Sequence, residues 1–142
     1  MRFMIIRRAD SRTEAGVMPS TEVLASMQAY MEELGNAGVL LDGDGLQPSS
    51  KGARVSFSNG TPTVTDGPFT ETKELIAGYC ILQVKSLEEA IEWARRWPAS
   101  DGDGELQLEI RGFFEADDFG PELTPELREA EQQLRARAGD RG

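Results

Sequence analysis

The densest cluster of chemically able residues is Asp66-Gly67-Pro68-Phe69-Thr70-Glu71-Thr72-Lys73-Glu74. It packs an aspartate, a rigid turn, an aromatic and an acid–base trio into one connection. Asp66 can accept backbone N–H bonds in an Asx-type turn, and Gly67 ahead of Pro68 is held away from helical geometry. Read as a site, Asp66 is a fixed carboxylate acting as general base. Pro68 and Phe69 then wall a cleft, and Glu71 and Lys73 are polar groups pointing at a ligand. Tyr79, just downstream, supplies a phenol that can act as acid or anchor, a role open to Lys73 as well. Read as scaffold, the same residues make a tight turn followed by a solvated charge run. Both readings stand at this level.

What is missing narrows the chemistry further. The 142 residues include no histidine. That excludes Ser-His-Asp and Cys-His triads, histidine-ligated haem and histidine-based zinc sites. Proton transfer must use carboxylates, lysine, tyrosine or bound water. The single cysteine, Cys80, cannot form an intramolecular disulfide and sits in an apolar run, so it reads as a small buried hydrophobe. Two Asp-Gly-Asp-Gly strings, at 42–45 and 101–104, fail the calcium-loop template. The first meets Leu46 and Ala53 where ligands are required, and the second has Gly112 at its twelfth position. No G-x-G-x-x-G follows a strand, so neither metal nor cofactor is expected. Asp and Glu outnumber Lys and Arg by 25 to 15, a formal charge of −10. Such a surface repels phosphate backbones, which argues against direct contact with nucleic acid or an anionic membrane. No RNP1-type aromatic pattern is present. Phe3–Ile6 is too short for a signal-peptide core and no apolar run approaches a membrane span, so the expected location is the cytoplasm.

The elements that must position these groups follow from periodicity. Phe3 to Ile6 is apolar on both alternating faces, as in a central strand. Asp10 to Pro19 reads as loop. Ser20 caps a helix to about Asn36, with Val23, Leu24, Met27, Tyr30, Met31 and Leu34 on one face. Val39–Leu41 is a short strand that Asp42–Gly45 ends in a turn. Arg54–Ser58 and Thr61–Thr65 flank Asn59-Gly60, the signature of a two-residue hairpin, with Pro62 restricting its strand to an edge. Ile76–Val84 is a second apolar strand. Ser86 and Glu89 form a capping box for a helix burying Leu87, Ala90, Ile91 and Ala94, with Trp93 and Trp97, and Pro98 ends it. Leu106, Leu108 and Ile110 alternate with polar residues in a last strand. Removing the hairpin leaves βαββαβ, so the expected class is α+β and ferredoxin-like, with an inserted β-hairpin. One domain is expected over residues 1–113. Residues 114–142 form an acidic linker and a C-terminal helix with a thin Leu127, Ala130 and Leu134 stripe, disordered from about Ala138.

The string DGPFTETKE at 66–74 resembles the signature of the YCII-related family, in its DGPF subgroup. GVLLDGDGLQPSS at 38–50, residues 52–55 and residues 74–97 agree with that family's segments, and the resemblance spans about residues 1–113. It implies a dimeric α+β barrel, in which two ferredoxin-like sheets face each other as a homodimer over a cleft for a small-molecule ligand. Some relatives pair a histidine with an aspartate in that cleft. Where relatives carry histidine before a proline, this chain has Gln47-Pro48, and Gln47 orients a ligand by hydrogen bonds but shuttles no proton. The resemblance also implies association with sigma factors of the extracytoplasmic type. Two functions are therefore expected: a homodimeric ligand-binding or regulatory interaction module, or a metal-independent enzyme in which Asp66 performs acid–base chemistry on a small organic substrate.

Overall fold

The computed structural model describes residues 1–139. The chain forms two compact units, Met1–Gly112 and a second beginning at Phe113. The first contains strands β1 (Arg2–Arg8), β2 (Leu40–Gly45), β3 (Ala53–Ser58), β4 (Thr61–Asp66), β5 (Ile76–Gln83) and β6 (Leu108–Gly112), with helices α1 (Ser11–Glu14), α2 (Thr21–Asn36) and α3 (Leu87–Arg95). β2, β5, β1 and β6 lie in that order in one antiparallel sheet, and β3 and β4 form a separate two-stranded sheet. With the β3–β4 ribbon set aside, this is the ferredoxin-like order expected from βαββαβ.

One face of the sheet makes the core. Phe3 and Ile5 of β1 and Cys80 and Leu82 of β5 point to the same side, where α2 contributes Tyr30 and Leu34 and α3 contributes Ala90. Ile5, Leu34, Leu82 and Cys80 are fully buried. Each large aliphatic group among them contributes about 1.5–3 kcal/mol of burial. The Tyr30 hydroxyl donates to the Trp93 carbonyl at 2.7 Å, which satisfies the one polar atom it carries into this core.

The same face closes at the end of β1 over a charge. Arg7 is buried, and its Nε and Nη2 donate to the two carboxylate oxygens of Asp101 at 3.2 and 2.9 Å. Its Nη1 donates to Asp10 at 3.1 Å and to the Arg8 carbonyl at 2.8 Å. Trp97 Nε1 donates to Asp101 at 2.9 Å. Burial disfavours charge on Asp101, but the hydrogen bonds from Arg7 and Trp97 outweigh it and hold the carboxyl below its ordinary range. The second Asp-Gly-Asp-Gly string is thus the loop that supplies the counterion of Arg7. Gly102 and Asp103 there have positive φ, and a Cβ on Gly102 would meet Arg7 Nη2 at 3.2 Å.

Several elements differ from expectation for local reasons. Residues 42–45 are not a turn but the greater part of β2, paired with β5 from Ile81 to Gly78. Partner hydrogen bonds override the low strand propensity of glycine, and Gly43 lies so close to Cys80 that a Cβ would sit 3.2 Å from the Cys80 Cβ. Within the expected loop 10–19, Asp10 accepts from the Thr13 N–H and Thr13 Oγ accepts from the Asp10 N–H, enough to hold the single turn α1. At α3 the cap is half as expected. Ser86 accepts from the Glu89 N–H, but the Glu89 carboxylate reaches the N–H of Lys85 rather than that of Ser86. Leu24 and Leu87 are exposed, not part of the buried helix faces. The hairpin is as expected, with Asn59 and Gly60 both at positive φ.

In the second unit, α4 (Pro125–Gly139) starts after Thr124, whose Oγ1 accepts from the Leu127 N–H. Leu127 and Leu134 of its stripe are exposed. Ala138 and Gly139 are helical, contrary to the expected fraying; the rest of that expectation lies outside the described residues. No helix among the described residues is long and apolar enough to cross a membrane.

Candidate functional site

Two constructions occupy the region that the sequence singled out. The first is a latch around the Asp66–Glu74 connection. The Gly67 N–H donates to the Gly52 carbonyl at 3.0 Å, and the Phe69 N–H donates to Ser49 Oγ at 3.0 Å. Ser49 in turn donates its N–H and its hydroxyl to the two carboxylate oxygens of Glu14 in α1, at 3.0 and 2.5 Å. The Arg54 guanidinium lies over the Phe69 ring, 3.8 Å from its centroid. Gly67 passes so near residue 49 that a Cβ would fall 1.7 Å from the Ser49 carbonyl oxygen. Only glycine permits that approach. The aspartate, by contrast, is exposed at the end of β4, and its side chain makes no hydrogen bond or ion pair among the described residues.

The second construction is the sheet face turned away from the helices. Residues directly opposite in an antiparallel pair share a face. Ile6 lies opposite Tyr79 on one side and Glu109 on the other, and Met4 lies opposite Ile81 and Arg111. Asp42 and Asp44 of β2 pair with Ile81 and Tyr79. The result is an apolar floor of Met4, Ile6, Tyr79 and Ile81, half-buried and on the side of the sheet away from α2 and α3, with charged residues around it. Arg8 stands at its edge. It pairs with Glu109 at 3.1 Å and donates to the Lys73 carbonyl, while its Nε is buried without a hydrogen-bond partner among the described residues. The charge of Asp42, then partial desolvation and the charge of Asp44, raise the Tyr79 phenol above its ordinary value. The hydrogen bond between the phenol and the Asp42 carboxylate acts in the same direction.

The expected site residues divide between these constructions. Tyr79 is on the open floor. The Lys73 backbone is held at its rim by Arg8, while the Lys73 ammonium is exposed. Phe69 is half-buried and belongs to the latch. Gln47, Pro68 and Glu71 are exposed, and Gln47 and Glu71 make no side-chain hydrogen bonds among the described residues. No hydrogen bond joins Asp66 to Tyr79. Ser49, Glu14 and Arg54 escaped the sequence reading because they are remote from the motif and carry no pattern of their own. Asp42 and Asp44 were visible as a string, but their alternation toward Tyr79 needed the strand register. Burial pushes the Cys80 thiol up to about 12, which agrees with a packing role. Among the described residues no group of acidic or thiol side chains is arranged to hold a metal.

The model of the YCII-related domain matches residues 1–111. The chain belongs to this family. The match covers the open sheet face and the latch together, so both constructions are parts of one YCII-related domain. A relative 36% identical over 73 residues is "Uncharacterized protein R00369" of Rhizobium meliloti (strain 1021). The match covers 51% of this chain and 59% of that protein, less than two thirds of the relative's length. Among solved structures, the domain is similar to 5-chloro-2-hydroxyhydroquinone dehydrochlorinase (TftG) from Burkholderia phenoliruptrix AC1100, in complex with 2,5-dihydroxybenzoquinone. The TM-score is 0.46 at 16% identity, over 84% of this chain and 100% of that one. A likeness of that size transfers neither chemistry nor substrate.

Proposed function

We propose that this YCII-related protein works as a homodimer that binds a small, flat organic molecule against the open face of its sheet. The observation that carries the reading is the half-buried apolar floor of Met4, Ile6, Tyr79 and Ile81, on the side of the sheet away from α2 and α3. A sheet in a domain of this size ordinarily buries both faces or makes one of them polar. This one keeps apolar residues at the centre and charges at the rim, the composition of a ligand floor. The Tyr79 hydroxyl, protonated at neutral pH as any phenol is and within hydrogen-bonding reach of Asp42, supplies a directional polar group at the floor. The Arg8–Glu109 pair closes one end of the floor. Asp66 lies outside this arrangement, so binding rather than carboxylate catalysis is the function the geometry supports.

Native mass spectrometry of the purified protein tests this directly, because it reports subunit number and retained small molecules together. The expected result is a dimer carrying a defined additional mass that Tyr79→Phe weakens and Asp66→Asn leaves in place. An empty protein that also binds no member of a panel of phenols and aromatic carboxylates in equilibrium dialysis would overturn the reading.

A further inference from the structure

The β3–β4 ribbon has an apolar face that no other element of its own unit covers. Val55 lies opposite Val64, and Phe57 lies opposite Pro62, so these four side chains share one side. Arg54, Ser56, Ser58, Thr61, Thr63 and Thr65 occupy the other. Every residue of both strands is exposed, Phe57 at 71% and Val64 at 65%. A two-stranded ribbon is marginal in water without something packed on its apolar face. The latch around Gly67 and Ser49 holds the base of the ribbon but covers none of this stripe.

We infer that the ribbon is a dimer arm: its Val55, Phe57, Pro62 and Val64 face packs against a second copy of this chain. The inference rests on the homodimer proposed above and adds to it the element that completes the interface. Area is the first argument for that occupant. Four strands at about 4.8 Å spacing, paired over about five residues, make a face of roughly 19 by 17 Å, or about 320 Å². Even doubled for side-chain relief, and before the share taken by a ligand on the same face is subtracted, it falls short of the roughly 800 Å² per partner of a stable complex. The ribbon, roughly 10 by 20 Å, contributes its own face and covers an equal area of the other copy, which brings the interface into range.

Charge is the second argument. Two copies of a chain with formal charge −10 repel each other over most of their surfaces. Residues 55–65 form the longest stretch of the sequence without a charged side chain. The ribbon is therefore where a like-charged copy can approach without desolvating a charge or opposing one of its own sign.

The experiment compares the wild-type protein with a Val55→Thr, Phe57→Thr, Val64→Thr triple variant by sedimentation equilibrium, with circular dichroism to check the fold. Threonine keeps strand propensity and removes the apolar face. The expected result is a wild-type dimer and at least a tenfold weaker dimer in the folded variant. Dimers of equal strength would overturn the arm while leaving the dimer of the proposed function intact. A wild-type monomer at all concentrations would overturn both. Should the variant not fold, hydrogen exchange of the wild-type ribbon decides. Amides 53–66 more protected at high protein concentration than at low support the arm, and concentration-independent exchange refutes it.

Discussion

Gly67→Ala adds one methyl group, and the structure says what it must displace. The new carbon would lie 1.7 Å from the Ser49 carbonyl oxygen and 2.6 Å from the Ser49 carbonyl carbon. Both are backbone atoms, so no rotamer change relieves the overlap. Ordinary contact begins at 3.4 Å, so the two segments must part by about 1.7 Å. The Gly67–Gly52 and Phe69–Ser49 hydrogen bonds, both 3.0 Å, then stretch beyond bonding range. Each contributes about 1 kcal/mol net. Loss of the Arg54–Phe69 stack adds about 0.5–1 kcal/mol. The latch should thus be weakened by about 2–3 kcal/mol, which raises its open population roughly 30- to 150-fold. The assay is hydrogen exchange of the Phe69 amide, read by NMR in the wild type, in Gly67→Ala and in Asp66→Asn. The Gly67 variant should exchange faster by that factor. The Asp66 variant should match the wild type, because its side chain holds nothing in the latch. Phe69 protection unchanged in Gly67→Ala would refute the steric account of this motif, and a large effect in Asp66→Asn would refute the division between scaffold and carboxylate.

Three further outcomes follow from buried groups. Asp101→Asn should cost about 2–4 kcal/mol in urea unfolding, below the full range for a broken buried pair because Asp10 still faces Arg7. Stability should fall on acidification. Asp101 and Asp10 are both held below their ordinary values, against the opposing effect of burial, by hydrogen bonds and the Arg7 charge. Their contribution is therefore complete above the unfolded carboxylate range, near pH 4, and is lost as pH drops through the depressed folded values. Urea midpoints measured from neutral pH downward should show that decline, and Asp101→Asn should flatten it; a decline of equal slope in the variant would place the acid sensitivity elsewhere. Cys80, buried and pushed up to about 12, should resist a thiol reagent at about pH 8 until the protein unfolds. Rapid labelling of the folded protein would contradict the burial.

Which groups could do chemistry was settled by composition. A chain without histidine and with one cysteine in an apolar run has few proton carriers, and no fold can add one. Local order was equally legible wherever neighbours in sequence supply the decisive energy. Ser20 and Ser86 cap their helices, Asn59-Gly60 turns the hairpin, and the alternation of Phe3, Ile5 and Leu82 places one sheet face in the core. Contacts distant in sequence were not legible, because their energy depends on which strands become neighbours. Asp42-Gly43-Asp44-Gly45 has the composition of a turn, yet it is a strand because β5 offers it hydrogen bonds, with Gly43 packed closely against Cys80 opposite. Nothing in the sequence around Arg7 signals burial, yet β1 buries it and Asp101 answers it from the far end of the unit. The parts of the DGPF string have different surroundings in the folded chain. Its glycine and the Phe69 backbone do the holding, through Ser49 and Glu14, while the carboxylate that drew attention stands in solvent. Spacing along a chain constrains side chains within about one turn or one strand pair; which carboxylate faces a guanidinium, a serine or open water is decided only when distant segments pack.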